Sequence, residues 1–165
     1  MPHPPHPSDP HPPDSPDPPF TPVHVERTGA FRVNRPLAYA FALFSPEGER
    51  RWVSGWDPRY LHPRDTPSDI AGTVFQTHHN NEETEWLVLR YAPEAGIAEY
   101  VRITPGSRMG LVTVRGTERA GATHVEVTYS LTSLSAAGTQ TLEAMTEASY
   151  AAMLQEWERL IDAIV

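Results

Sequence analysis

Hydrophobic and polar positions alternate where the foldable part of the chain begins. In VHVERTGAFRVN (23–34), Val23, Val25, Phe31 and Val33 share one parity, and His24, Glu26, Arg32 and Asn34 the other. A period of two is that of a half-buried strand. Behind Pro36, which a first helical turn tolerates, the period lengthens: Leu37, Ala40, Phe41 and Phe44 fall at helical spacing. The apolar run AFALF then stops at Ser45-Pro46. Ser45 is a capping side chain, proline suits the position after it, and Glu47 and Glu49 lie where carboxylates favour the positive end of a helix dipole. The pattern predicts a second short helix, set at an angle to the first, that carries Trp52 and Trp56 onto whatever it covers.

Residues 57–71, DPRYLHPRDTPSDIA, predict a long connection with a short strand near Tyr60 and Leu61. Long irregular connections in compact domains are often gates. Strand-like runs follow: GTVFQTHH, TEWLVLRY, IAEYVRI, MGLVTVRGT and THVEVTYSLTSL, separated by NNEE, APEAG, TPGS and ERAG. Such short, turn-rich separators predict an antiparallel meander. From about Thr139 the period becomes helical again. Leu142, Met145, Ser149, Met153, Glu156 or Trp157, Leu160 and Ile164 recur every three or four residues, predicting one helix of roughly seven turns at ~3.6 residues each. One strand, two short helices, a meander and a long helix make an α+β chain.

The turn lengths suggest a register. Closing the hairpin at Ala92–Gly96 pairs Leu89 with Glu99 and Leu87 with Val101. A turn at Thr104–Ser107 sets Val112 beside Glu99, and a four-residue turn at Glu118–Gly121 sets Val127 beside Val112 and Tyr129 beside Gly110. One face then carries Leu87, Leu89, Tyr91, Ile97, Val101, Ile103, Val112, Val114, Val125, Val127, Tyr129 and Leu131, with Glu99 its single charge. A carboxyl held there resists ionisation and suits a general acid, so Glu99 and Tyr129 are the catalytic candidates. Trp86 and Arg102 become a cation–π pair on the outer face. In the alternative, a bulge shifts the register by one residue, Glu99 faces solvent, and Trp86, Val88, Tyr100 and Arg102 face inward.

Composition narrows the picture. At 165 residues the chain fits one domain, residues 21–165, preceded by a proline- and histidine-rich tail over 1–20 expected to be disordered. Cysteine and lysine are both absent, which removes disulfides, thiolate catalysis, Schiff bases and the lysine of a phosphate-binding loop. A net charge of −8 with dispersed arginines argues against nucleic acid and anionic membrane as partners. With neither a signal-peptide pattern nor a membrane-length apolar run, a cytoplasmic location is expected. His78 and His79 are adjacent on a strand and point to opposite faces, so no metal site is expected, and no motif indicates a cofactor.

The pieces FALFSPEGERRWVSGW, EWLVLRYAPEAGIAEYVRITPG and THVEVTYSLTSLS, in that order, resemble the START-like or SRPBCC superfamily, which includes the Bet v 1-like proteins. The resemblance spans about Val23 to Val165. It implies a helix-grip fold: a curved antiparallel sheet of six or seven strands around the C-terminal helix, with an apolar cavity between them. It also implies a small hydrophobic or aromatic ligand inside. The positions expected against it are Trp52, Trp56, Phe75, Leu87, Leu89, Glu99, Val101, Val112, Val127, Tyr129, Met145, Ser149 and Met153. Two further functions stay open: a polyketide cyclase- or dehydratase-like enzyme, and a protein-interaction module. The expected assembly is a monomer or a weak homodimer through Trp86 and Tyr100 on the outer face.

Overall fold

The opening alternation forms strand β1 (His24–Val33), which turns Phe31 and Val33 into the core. The structure, a computed structural model, describes residues 20–165. The expectation for the proline-rich start lies, apart from Phe20, outside the described residues. After helix α1 (Leu37–Ala42) come strands β2 (Arg59–His62), β3 (Val74–His79), β4 (Glu82–Ala92), β5 (Ile97–Thr104), β6 (Arg108–Arg119) and β7 (Ala122–Ser133). They form one antiparallel sheet in the order β1-β7-β6-β5-β4-β3-β2. Helices α2 (Ala136–Ala144) and α3 (Glu147–Asp162) close the chain, and α3 packs over β1. This is the expected α+β helix-grip arrangement.

The C-terminal helix is not continuous. Met145 leaves helical geometry and Thr146 is extended, so Thr146 Oγ1 accepts the Ser149 amide at 3.1 Å as a new N-cap. The Arg27 Nε–H donates to the carbonyl of Met145 at 2.9 Å and ties this break to β1. A hydroxyl that captures a backbone amide locally competes with helix continuation, and that competition is invisible to hydrophobic periodicity.

The second short helix is a single 3-10 turn, Gly48–Arg51. Its N-cap position is Glu47 rather than the expected Ser45, although Ser45 Oγ does accept the Gly48 amide at 3.0 Å. A Cβ on Gly48 would lie 1.9 Å from the carbonyl oxygen of Ala42, so the chain can fold back this tightly only with glycine here. The turn is braced by Glu47, which accepts from Tyr60 Oη at 2.7 Å and from Arg50 Nε at 3.0 Å.

One turn and one bulge decide which side of the meander faces inward. The β5–β6 connection closes with Thr104 opposite Arg108, one residue tighter than expected, which places Tyr100 rather than Glu99 opposite Val112. The β6–β7 connection is a two-residue turn at Ala120-Gly121, both with positive φ, and it sets Val112 opposite Tyr129 and Val114 opposite Val127. That slip of two residues preserves parity, so Val125, Val127, Tyr129 and Leu131 are buried as expected. In β4–β5, Leu87 does pair with Val101, but the register shifts between Val88 and Arg90, leaving Leu89 as a bulge and pairing Arg90 with Glu99. The bulge alternative is the one realised: Val88 and Tyr100 are buried, whereas Leu89 is exposed. With Trp86 and Tyr100 inside, the outer-face contact expected to support a dimer does not exist; the exposed apolar residues there include Leu89, Met109 and Leu111.

Candidate functional site

Helix α1 ends inside the protein, where its last carbonyls need donors. Side chains supply them for the last two of the helix and the two that follow it. Tyr91 Oη donates to the Phe41 carbonyl at 3.0 Å, Ser45 Oγ to Ala42 at 3.0 Å, Trp52 Nε1 to Leu43 at 2.8 Å, and Tyr100 Oη to Phe44 at 2.7 Å. Trp56 Nε1 continues the series, donating to the Pro46 carbonyl at 2.8 Å. The two tyrosines fasten the 41–56 segment to the inner face of β4 and β5, and Trp52 and Trp56 fold it back on itself, which answers why an apolar run interrupted by Ser-Pro resumes with two tryptophans.

The segment does not fill the space beneath it. A cavity of about 340 Å³ remains between the inner face of the sheet, the 44–56 segment and α3. Phe44, Glu49, Val53 and Trp56 line it from above, Phe75, Thr77, Thr84 and Trp86 from β3 and β4, and Met153 and Trp157 from α3. Tyr100, Arg102, Val112, Val114 and Tyr129 form the sheet wall, and His79, Asn80, Glu82 and Arg108 complete the end at the β3–β4 turn. A second hollow of about 240 Å³ shares Val53, His79, Met153 and Trp157 with it and adds Trp52 and Leu160.

The walls are largely aromatic. Phe75 stacks on Trp86 with ring centroids 5.9 Å apart and planes 5° from parallel, and Trp56 meets Trp86 edge-on at 5.7 Å. Trp157 meets Tyr129 at 6.4 Å and Trp52 at 5.3 Å. The polar atoms of these walls are mostly engaged: besides Trp56 and Tyr100, Trp86 Nε1 donates to Thr77 Oγ1 at 2.9 Å.

Three polar side chains are not so engaged. Arg108, itself buried, donates to both carboxylate oxygens of Glu82, at 2.8 and 2.6 Å. Arg102 reaches the same carboxylate only at 3.5 Å, and its Nε is buried without a hydrogen-bond partner. Its guanidinium lies over Trp86 at 5.5 Å and Tyr129 at 6.0 Å from the ring centroids. Burial pulls the Arg102 pKa below the ordinary guanidinium value, though an arginine remains charged in proteins. The second is Glu49, whose carboxyl has no ion-pair or hydrogen-bond partner among the described residues and keeps only partial exposure on the cavity wall; burial pushes its pKa up to about 8. The third is Tyr129. Burial raises its hydroxyl above the ordinary tyrosine range, Arg102 offsets part of that and Glu49 adds to it, so this ring sits within electrostatic reach of both poles.

Of the positions expected against a ligand, Trp56, Phe75, Val112, Tyr129 and Met153 line the main cavity, and Trp52 lines the smaller hollow. Val127 is buried but lies outside the lining, its carbonyl taken by Tyr150 Oη at 2.9 Å. Met145 packs at the break between α2 and α3, and Ser149 is exposed, its Oγ donating to Ala144 at 2.9 Å. Leu87, Leu89, Glu99 and Val101 are corrected outright. The turn and bulge geometry puts them on the outer face, where Glu99 forms an ion pair with Arg115 at 3.5 Å, which ends its candidacy as the cavity acid. Trp86 and Arg102 do form the expected cross-strand cation–π pair, but inside.

Glu49, Glu82 and Arg108 were not anticipated. Glu49 reads as a complement to a helix dipole, and Glu82 as part of a polar hairpin tip. The available signal was parity: Arg102 alternates with Tyr100 and opposes Trp86, so an inward Trp86 obliges an inward arginine and a counterion for it. His78 is exposed while His79 reaches the cavity end, and no group of three histidine or carboxylate side chains among the described residues is arranged to hold a metal ion. No helix among them is long and apolar enough to cross a membrane.

No protein-family model and no curated protein matches the chain. Solved structures do. An uncharacterized protein from Rhizobium leguminosarum superposes with a TM-score of 0.63 at 15% identity, covering 87% of this chain and 97% of that one. CalU16 from Micromonospora echinospora gives 0.56 at 14% identity over 86% and 87%. Norcoclaurine synthase from Thalictrum flavum gives 0.58 at 11% identity over 85% and 87%, and has also been solved in complex with dopamine and hydroxybenzaldehyde. At such identities the likeness establishes the fold.

Proposed function

On the premise of a Bet v 1-like helix-grip fold, we propose that this chain binds a small, ring-bearing hydrophobic molecule in the cavity beneath Trp56. The observation that carries the proposal is the hollow itself: about 340 Å³, within the ~300–1,000 Å³ usual for small-molecule sites, with aromatic walls whose polar atoms are mostly engaged in hydrogen bonds. Such walls offer a guest apolar contact and leave orientation to a few groups. The same-fold norcoclaurine synthase, solved with two small aromatic compounds, lends support by analogy of architecture. Native mass spectrometry of the purified protein, joined to a titration with a hydrophobic fluorescent probe, tests it. Saturable one-to-one probe binding that Trp56→Ala weakens is the expected result. Failure of the intact protein to bind saturably, with no co-purifying molecule, overturns it.

A second reading has its own observation. A carboxyl held protonated up to about pH 8 on the wall, within electrostatic reach of Tyr129, suits a general acid that protonates a departing hydroxyl or polarises a carbonyl. This supports a dehydratase- or cyclase-like activity in which Glu49, in place of Glu99, and Tyr129 supply the acid while solvent water takes the α-proton. The aldol adduct of benzaldehyde and acetone is a simple probe, since loss of water yields a conjugated enone that absorbs strongly. Turnover above buffer that vanishes in Glu49→Gln supports the activity, and a rate equal to buffer removes it for this substrate type.

A further inference from the structure

With the Glu49 carboxyl kept protonated by its burial, the cavity contains more positive than negative charge. Two guanidiniums, Arg102 and Arg108, share one ion-paired carboxylate, Glu82, and Arg108 takes both of its oxygens. Arg102 keeps a 3.5 Å approach to Glu82 and a buried Nε–H with no acceptor. Buried donors without acceptors are rare because each costs the full desolvation of the group, and the cost is larger for a charged one. The aromatic rings over which Arg102 lies lessen that cost without providing an oxygen. Trp86 Nε1 is donated to Thr77 and the Thr84 and Thr104 hydroxyls bond each other at 3.1 Å, and none of these atoms accepts from Arg102 Nε. What the site lacks is one negative charge beside an aromatic wall.

We infer that the occupant is a monoanion, an aromatic or alicyclic carboxylate whose carboxylate accepts from the terminal nitrogens of the Arg102 guanidinium while its ring lies against the wall of Phe75, Trp86 and Trp157. The inference rests on the cavity-binding proposal and adds the ligand's chemical class. A single negative charge is the amount that balances the site. A doubly charged phosphate ester would leave one charge buried and uncompensated. A neutral guest would leave the guanidinium without a counterion.

The test uses the full chain and two probes of nearly equal shape, 2-naphthoate and 2-naphthamide, titrated by calorimetry at neutral pH. The expected result is naphthoate binding at least about tenfold tighter than naphthamide. In Arg102→Gln the gap falls below about threefold through loss of naphthoate affinity alone, and in Arg115→Gln, on the outer face, it is unchanged. Equal affinities in the unmodified protein, or a gap that survives Arg102→Gln, overturn the inference while leaving cavity binding intact. Binding of neither probe overturns both. The comparison in the unmodified protein decides the matter even where the Arg102 variant fails to fold, and Arg102→Lys, which keeps the charge and loses the paired guanidinium nitrogens, then provides the expected intermediate gap.

Discussion

Arg102 and Trp86 face each other across β5 and β4 on the inside of the sheet, the guanidinium carbon 5.5 Å from the indole centroid. An arginine at the heart of an aromatic wall is an unusual use of a core position, because it buries charge where an aliphatic side chain would pack at lower cost. Here the charge is partly balanced by Glu82, which serves two arginines.

That sharing predicts opposite responses to two substitutions. Glu82→Gln leaves two guanidiniums without a carboxylate and should lower stability by about 1–3 kcal/mol, the smaller end reflecting the solvent reaching Glu82. Arg102→Met removes the under-paired charge and should leave the melting temperature equal or higher, a common outcome where function is held at the expense of stability. Thermal unfolding of both variants checks it; a clear drop for Arg102→Met would show that the cation–π contacts outweigh the burial of charge.

Glu49 predicts a pH dependence. Its ordinary pKa of 4.5 applies in the unfolded chain, and in the folded protein it rises to about 8. Between those values the folded state holds a proton that the unfolded state has released, so this group's contribution to stability is intact below pH 4.5 and is lost as pH rises to about 8. On the order of 1.4 kcal/mol for each pH unit between the two values sets a ceiling of about 5 kcal/mol, and solvent reaching the partly exposed side chain brings the expected loss below it. Urea unfolding from about pH 5 to 9 should show this decline in the unmodified protein and a flatter curve in Glu49→Gln; parallel curves would place Glu49 in solvent contact.

Gly48 predicts a steric effect. Alanine there sets its Cβ against the backbone carbonyl of Ala42, which no rotamer change can relieve. Overpacking of this kind typically costs about 1–3 kcal/mol. Because the same turn presents Glu49 to the cavity and leads directly to Trp56, Gly48→Ala should also weaken probe binding, read by the same fluorescence titration used for Trp56→Ala.

Thr146→Ala tests the break between α2 and α3. Losing the cap on the Ser149 amide should cost about 1 kcal/mol. Denaturant unfolding measures it, and no change would mean that Arg27 alone holds the break.

Glu99→Gln should be silent. The residue lies on the outer face, paired with a partly exposed Arg115, and such pairs contribute about 0–1 kcal/mol. Stability and probe affinity indistinguishable from the unmodified protein are expected, whereas a large loss of binding would return Glu99 to the site.

The element order, the antiparallel meander and the amide-accepting role of Ser45 were legible along the chain, because period, cap and turn chemistry are local properties of a few adjacent residues. The alternating sets were legible too: Tyr100 and Arg102 on one parity of β5, Glu99 and Val101 on the other. Tertiary structure decided which set faces the cavity. A three-residue rather than four-residue turn before Arg108 and one bulged residue at Leu89 invert that choice, and either arrangement leaves the local pattern of the strands unaltered. What favours the observed side is collective. Tyr91, Tyr100, Trp52 and Ser45 satisfy the buried end of α1, and only an inward Tyr100 can reach the Phe44 carbonyl. The charge imbalance around Arg102 has the same origin, since it depends on groups far apart in sequence that meet only when the sheet forms, whereas the break at Thr146 is a local cap that Arg27 then ties to β1.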